Sequence, residues 1–208
     1  HVGHEPQDLS YRDAPTGVRL GDRNVLREGT TVHRGTKPET HTEVGSDVLL
    51  MANAHVAHNC HVGDQVILAN GALLGGWVQV GERAFISGNC VVHQFVRVGR
   101  LAIMRGLSRT SRDVPPFALM DGTHEVHGVN RVGMRRAGLD MTRIRADDTA
   151  FRMLFRVRQN LSEALGRVEQ ELGDVPEVAE VLAFIRASKR GVATAPRGPR
   201  LTDDDDEA

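Results

Sequence analysis

No apolar run in this sequence approaches the roughly 20 residues that a bilayer crossing needs, and no basic start followed by an apolar middle marks a signal peptide. A cytoplasmic protein without an integral membrane segment is expected. Only two cysteines occur, Cys60 and Cys90, too few for a disulfide framework, so both are expected as small core residues. A net charge of −1 argues against a nucleic-acid partner, although arginines gather after Arg131 and an acidic tail runs Asp203-Asp204-Asp205-Asp206-Glu207. Aromatic residues make up only 4% of the chain, which fits a narrow interior that large rings would overfill. A starting Met is also absent. The chain opens at His1 in what reads as the middle of a domain, and further residues are expected upstream.

What is present is a repeat. Aliphatic residues stand at every sixth position: Val44, Leu50, Val56, Val62, Leu68, Leu74, Val80, Ile86, Val92, Val98 and Met104. Four places after each comes a small or β-branched residue, from Val48, Ala54 and Cys60 through to Ala102 and Ser108. A helix needs apolar residues every three to four positions and an amphipathic strand needs alternation, so a strict period of six fits neither. It fits a three-sided parallel coil in which each hexad is a short strand plus a corner, with about 18 residues per turn. Gly45, Gly63, Gly81 and Gly99, spaced by that turn, suit bends that side chains would obstruct.

Leu20, Leu26 and Val32 keep the same phase, so the coil should extend upstream, with residues 34–43 as an excursion from the wall. The paired prolines of Asp113-Val114-Pro115-Pro116 should end it, because proline donates nothing to a ladder. The expected organisation is a coil over residues 1–118, a connector over 119–140, a helical domain over 141–190 and a disordered tail over 191–208. Phe151, Leu154, Phe155 and Val157, then Leu161, Ala164, Leu165 and Val168, carry the helical period, with a further helix expected over 177–188.

Residues 18 apart lie above one another in such a coil. His58 of Asn53-Ala54-His55-Val56-Ala57-His58-Asn59-Cys60 therefore falls beneath Gly76, and the next coil brings Gln94 beside His93. An imidazole next to a glycine amide is the minimum equipment for acyl transfer, a general base and an oxyanion donor. A single corner histidine is ordinarily an exposed polar residue, but His33, His55, His58 and His93 all lie on the coil. A zinc site of three histidines shared between subunits, as in γ-class carbonic anhydrases, stays open as an alternative at this point.

The runs Gln7-Asp8-Leu9, Gly21-Asp22-Arg23-Asn24, His33-Arg34-Gly35-Thr36, Val44-Gly45-Ser46-Asp47, Leu50-Met51 with the histidine segment, Val92-His93-Gln94-Phe95 and Asp113-Val114-Pro115-Pro116 together closely resemble the UDP-N-acetylglucosamine 3-O-acyltransferase family. The resemblance runs from about Gln7 to Gly191. It implies a left-handed parallel β-helix followed by a C-terminal α-helical domain, assembled as a homotrimer with active sites between subunits. It also implies several N-terminal coils that are not in this chain. The implied reaction moves a 3-hydroxyacyl chain from acyl carrier protein, where phosphopantetheine holds it, to the glucosamine 3-position of UDP-N-acetylglucosamine, the first step of lipid A synthesis. No metal and no resident cofactor are implied. A related N-acyltransferase of the same pathway and a truncated inactive homologue remain as alternatives.

By resemblance, His58 is the general base and Gly76 supplies the oxyanion amide. Asp8 contacts the sugar, and His33, His55, His93 and Gln94 line the sugar and diphosphate region. Asn130 lies at the nucleotide end, Arg136 binds phosphate, and Gly106 leaves room for a long acyl chain. The chain departs from the family at Asn59, where some members place an aspartate beside the base, and at Ser10, Trp77 and Val132, where lysine, histidine and glutamate are expected. Arg105 and Leu107 are larger than the neighbours expected for Gly106. The arginines 131, 135, 136, 143, 145, 152, 156 and 158 suit an acidic carrier protein.

Overall fold

The computed structural model describes residues 1–156 and 160–196. The expectations for Val157, Arg158 and the acidic tail fall outside them. The described chain is a left-handed parallel β-helix followed by helices. Three sheets of six, five and seven short strands form the three faces. His55 lies in register with Leu73, and Leu73 with Val91, so one turn is one 18-residue step.

Two side chains per hexad fill the interior. The aliphatic residue is the second of each two-residue strand and points inward while the first points out, as in Leu49–Leu50 or Gln79–Val80. The small residue four places on closes the corner, and from Val48 to Ser108 none of these is more than 1% exposed. Both cysteines occupy this position, buried and free. Burial pushes the Cys60 thiol up to about 12.

The corners divide two tasks that the glycine spacing had merged. Gly63 is at a point of close approach, since a Cβ there would lie 2.8 Å from Glu82 N in the next coil. The backbone reverses two residues later, at a position with φ between 54° and 65° occupied by Asp47, Asn53, Asn59, Gln65, Trp77, Arg83, Asn89, Phe95, Leu101 and Leu107. That region disfavours side chains. Their N–H groups offset the cost by bonding across to the neighbouring coil, as Trp77 N–H does to His58 O at 3.0 Å.

The first coils follow the phase of Leu20, Leu26 and Val32, which pair with Val44, Leu50 and Val56. Their steps are 24 residues because residues 34–40 leave the wall. A longer excursion, residues 5–16, separates strand Val2–His4 from the strand Gly17–Leu20.

At the other end the coil does not stop at the prolines. Ala118–Asp121 continues the stack, with Leu119 beside Ile103, and an antiparallel strand Glu125–Val129 closes that face. The prolines are tolerated because the donors at this corner are Val114 N–H and Phe117 N–H, on either side of them. The stretch expected as a connector thus holds two strands and helix α1, Arg131–Arg136. Helices α2, Met141–Phe155, α3, Leu161–Leu172, and α4, Pro176–Arg186, complete the described layer. Asp140 and Asn160 cap α2 and α3, and Pro176 starts α4. Gly191 does not begin an unstructured tail: Val192 and Thr194 bridge to Asp113 and Glu125, and Ala193 is fully buried. Two apolar residues and paired N–H groups suffice to dock this segment on the last coil.

Candidate active site

His58 sits on the corner between two faces, one residue before the left-handed Asn59. Its side chain is nearly buried, and Gly76 lies directly against it: a Cβ on Gly76 would strike the imidazole at Cε1 and Nε2. Only glycine therefore lets the imidazole rest where it does. Gly76 O accepts from Phe95 N–H, while Gly76 N–H has no backbone partner among the described residues. An imidazole and an amide N–H without a backbone partner thus stand side by side, as the 18-residue spacing required.

His58 Nδ1 is 3.1 Å from Asn59 Oδ1. That oxygen also accepts from the Thr36 N–H at 3.0 Å and the Thr36 hydroxyl at 2.9 Å. On the opposite side, His58 Nε2 is 3.8 Å from Asp8 Oδ2, which the 5–16 excursion delivers. The Ser10 N–H bonded to Asp8 Oδ1 at 2.8 Å holds the Asp8 carboxyl below its ordinary range, so it is ionised at neutral pH.

The imidazole opens onto a cleft of about 570 Å³ lined by Gln7, His55, His58, Gly75, Gly76, His93, Gln94 and the apolar Leu73 and Val91. Leu73 and Val91 are the outward residues of their strands and are 42% and 45% exposed. An outward aliphatic strip beside the Gly76 amide is suited to an apolar chain. Burial lowers the pKa of His55, whose Nδ1 lies 2.7 Å from the Thr31 hydroxyl. His33 is 6% exposed and packs edge-on against His55 behind the cleft, where burial and then its neighbouring histidines take it down to about 4. Both rings are neutral at pH 7. Trp77 stacks on Phe95 and carries Lys37 Nζ 5.5 Å from its ring.

Of the residues singled out from sequence, Asp8, His55, His58, Gly76, His93 and Gln94 come together. His33 lies behind them. Asn130, Arg136 and Gly106 do not line the cleft within one chain. Asn130 caps α1 and donates to Leu101 O at 2.8 Å, Arg136 is exposed, and Gly106 is on the corner at the other edge of the cleft's face. Sequence reasoning gave no role to Thr36, Gln7 or Arg190, whose Nη2 is 3.3 Å from His93 Nδ1. Arg190 arrives from beyond α4, and no repeat spacing connects it to the coil. Among the described residues, no group of three His, Cys, Asp or Glu is placed to hold a metal ion.

Residues 113–193 match the family model described as Udp N-acetylglucosamine O-acyltransferase; Domain 2, and residues 41–76 match the bacterial transferase hexapeptide model of six repeats. A relative in Aquifex aeolicus, an acyl-[acyl-carrier-protein]–UDP-N-acetylglucosamine O-acyltransferase, is 52% identical over 92% of this chain and 74% of its own length. One of the same description in Anaeromyxobacter is 44% identical over 92% and 75%. The crystal structure of a UDP-N-acetylglucosamine acyltransferase from Bacteroides fragilis superposes with a TM-score of 0.88 at 36% identity, covering 92% of this chain and 75% of that one. The Arabidopsis enzyme of that name gives 0.88 at 36%, over 93% and 71%.

Proposed function

The chain belongs to the UDP-N-acetylglucosamine O-acyltransferase family, and from that premise we propose that His58 and Gly76 carry its acyl transfer from acyl carrier protein to UDP-N-acetylglucosamine in lipid A synthesis. The observation that carries the assignment is the imidazole held against the Gly76 amide with its Nδ1 anchored and its Nε2 facing the cleft. Nε2 takes the proton of the glucosamine 3-hydroxyl as that oxygen attacks the thioester carbonyl. The Gly76 N–H stabilises the oxyanion, and the imidazolium returns its proton to the leaving phosphopantetheine thiol.

Asp8, His55, His93 and Gln94 hold the sugar and diphosphate, and Leu73 and Val91 carry the first carbons of the acyl chain. Asn130, Arg136 and Gly106 serve the site of a neighbouring subunit in a homotrimer, which accounts for their absence from the cleft of their own chain. No described helix is long and apolar enough to cross a membrane, in keeping with a cytoplasmic enzyme that meets its donor on acyl carrier protein.

A transfer assay with acyl carrier protein and UDP-N-acetylglucosamine tests the reading. His58→Ala should lower kcat by roughly a hundredfold or more with a folded trimer retained. A variant as active as the parent would remove His58 from the mechanism.

A further inference from the structure

Asn59 departs from the pattern of its coil. At the ten other left-handed corners between 47 and 107 the backbone N–H donates to a carbonyl of the coil below. At Asn59 that coil has left the wall for the 34–40 excursion, and the N–H finds the Thr42 hydroxyl at 2.7 Å instead. The excursion itself meets the Asn59 side chain through Thr36, which is 7% exposed.

We propose that Thr36 is a positioning residue for the catalytic imidazole, acting through Asn59; the proposal rests on His58 being the base. A backbone N–H can only donate, so the Asn59 atom facing Thr36 is its carbonyl oxygen. The same oxygen is next to His58 Nδ1, and an acceptor there requires Nδ1 to carry the ring proton. Nε2 is then left with its lone pair toward the cleft. If the carboxamide turned over, its NH2 would donate to Nδ1 and the ring proton would move to Nε2, which could no longer accept one. An aspartate has two equivalent oxygens and needs no such control. An asparagine needs it, and the Thr36 hydroxyl and N–H together provide it.

Thr36→Val keeps the side-chain shape and the backbone donor but loses the hydroxyl. It should lower kcat roughly threefold to tenfold, with KM for the sugar nucleotide within about twofold of the parent. Thr36→Ser should restore the rate. Nitrogen NMR of the His58 ring should show the Nε2–H tautomer growing in Thr36→Val and receding in Thr36→Ser. In an Asn59→Asp background the valine substitution should cost less than about twofold, because the carboxylate cannot present a donor. His58→Ala serves as the control: parental activity there defeats the base assignment itself. An inactive His58→Ala together with a Thr36→Val enzyme that keeps both kcat and the Nδ1–H tautomer overturns the role of Thr36. An undiminished loss in the Asn59→Asp background overturns it too, since the hydroxyl would then be holding the loop and not the tautomer.

Discussion

Gly76 shows how a single missing Cβ makes room for the His58 imidazole on which the proposed chemistry rests. The coil could be wound with alanine at this corner, for Gly76 is not among the positive-φ positions and no backbone strain demands glycine. The obstruction is the His58 ring. Gly76→Ala should therefore leave the fold standing while displacing the imidazole, and a shift of even 1 Å at a base can cost on the order of a hundredfold in kcat. Thermal melting within a few degrees of the parent with transfer reduced on that scale is the expected result, and an unimpaired rate would mean that the ring is not where the acyl transfer occurs. This stacking was legible in the sequence because both residues obey the period of 18. Thr36 was not, because it acts across the 34–40 excursion, whose length no repeat dictates. Asp8 reaches Nε2 through an excursion as well, and only the family resemblance pointed to it.

Among the elements, the coil was legible and its ends were not. Hexads announce themselves by repetition, whereas Ala118–Asp121 is offset by a 16-residue step and the Val192–Thr194 segment docks on two bridges. The helical layer holds a further feature that sequence pattern conceals. Asp147 on α2 is fully buried and neither carboxylate oxygen has a hydrogen-bond partner among the described residues. Burial, then the nearby Glu177, Glu180 and Asp148 charges, push it up to about 8, against the opposing pull of Arg100. Glu177, by contrast, is held by Arg143. Asp147 in the folded chain keeps its proton well above the ordinary value of 3.8, so the native state binds more protons than the unfolded one between those limits. The stability it supports is full below about pH 4 and is lost progressively as pH rises to about 8, by an amount on the order of a few kcal/mol. Asp147→Asn should flatten this slope in denaturant melts, with its largest stabilisation near pH 8. Parallel pH profiles for parent and variant would show that the carboxyl is not the titrating group.

At the scale of the whole molecule, the arginine-rich helical layer separates into structural and free charges once the contacts are known. Arg131 pairs with Asp148, with Arg152 3.8 Å from the same carboxylate, Arg143 pairs with Glu177, and Arg156 donates to His127 O. Arg135, Arg136 and Arg145 are exposed and have no acidic partner among the described residues. Sequence shows the cluster but not this division, since the partners come from other helices. An acidic carrier protein drawn to the free arginines gains its rate of encounter from long-range attraction, which salt weakens: the screening length falls from about 10 Å at 0.1 M to about 3 Å at 1 M. KM for the acylated carrier should then rise about tenfold or more across that range while kcat with saturating carrier changes little. Arg135→Glu with Arg145→Glu should reproduce the rise at low salt without altering the melting temperature, whereas Arg143→Glu should destabilise the helices because it removes the closer partner of the buried Glu177, leaves only Arg100 at 4.0 Å and adds a like charge. A salt-insensitive KM, with the double variant matching the parent, would place carrier docking on another face.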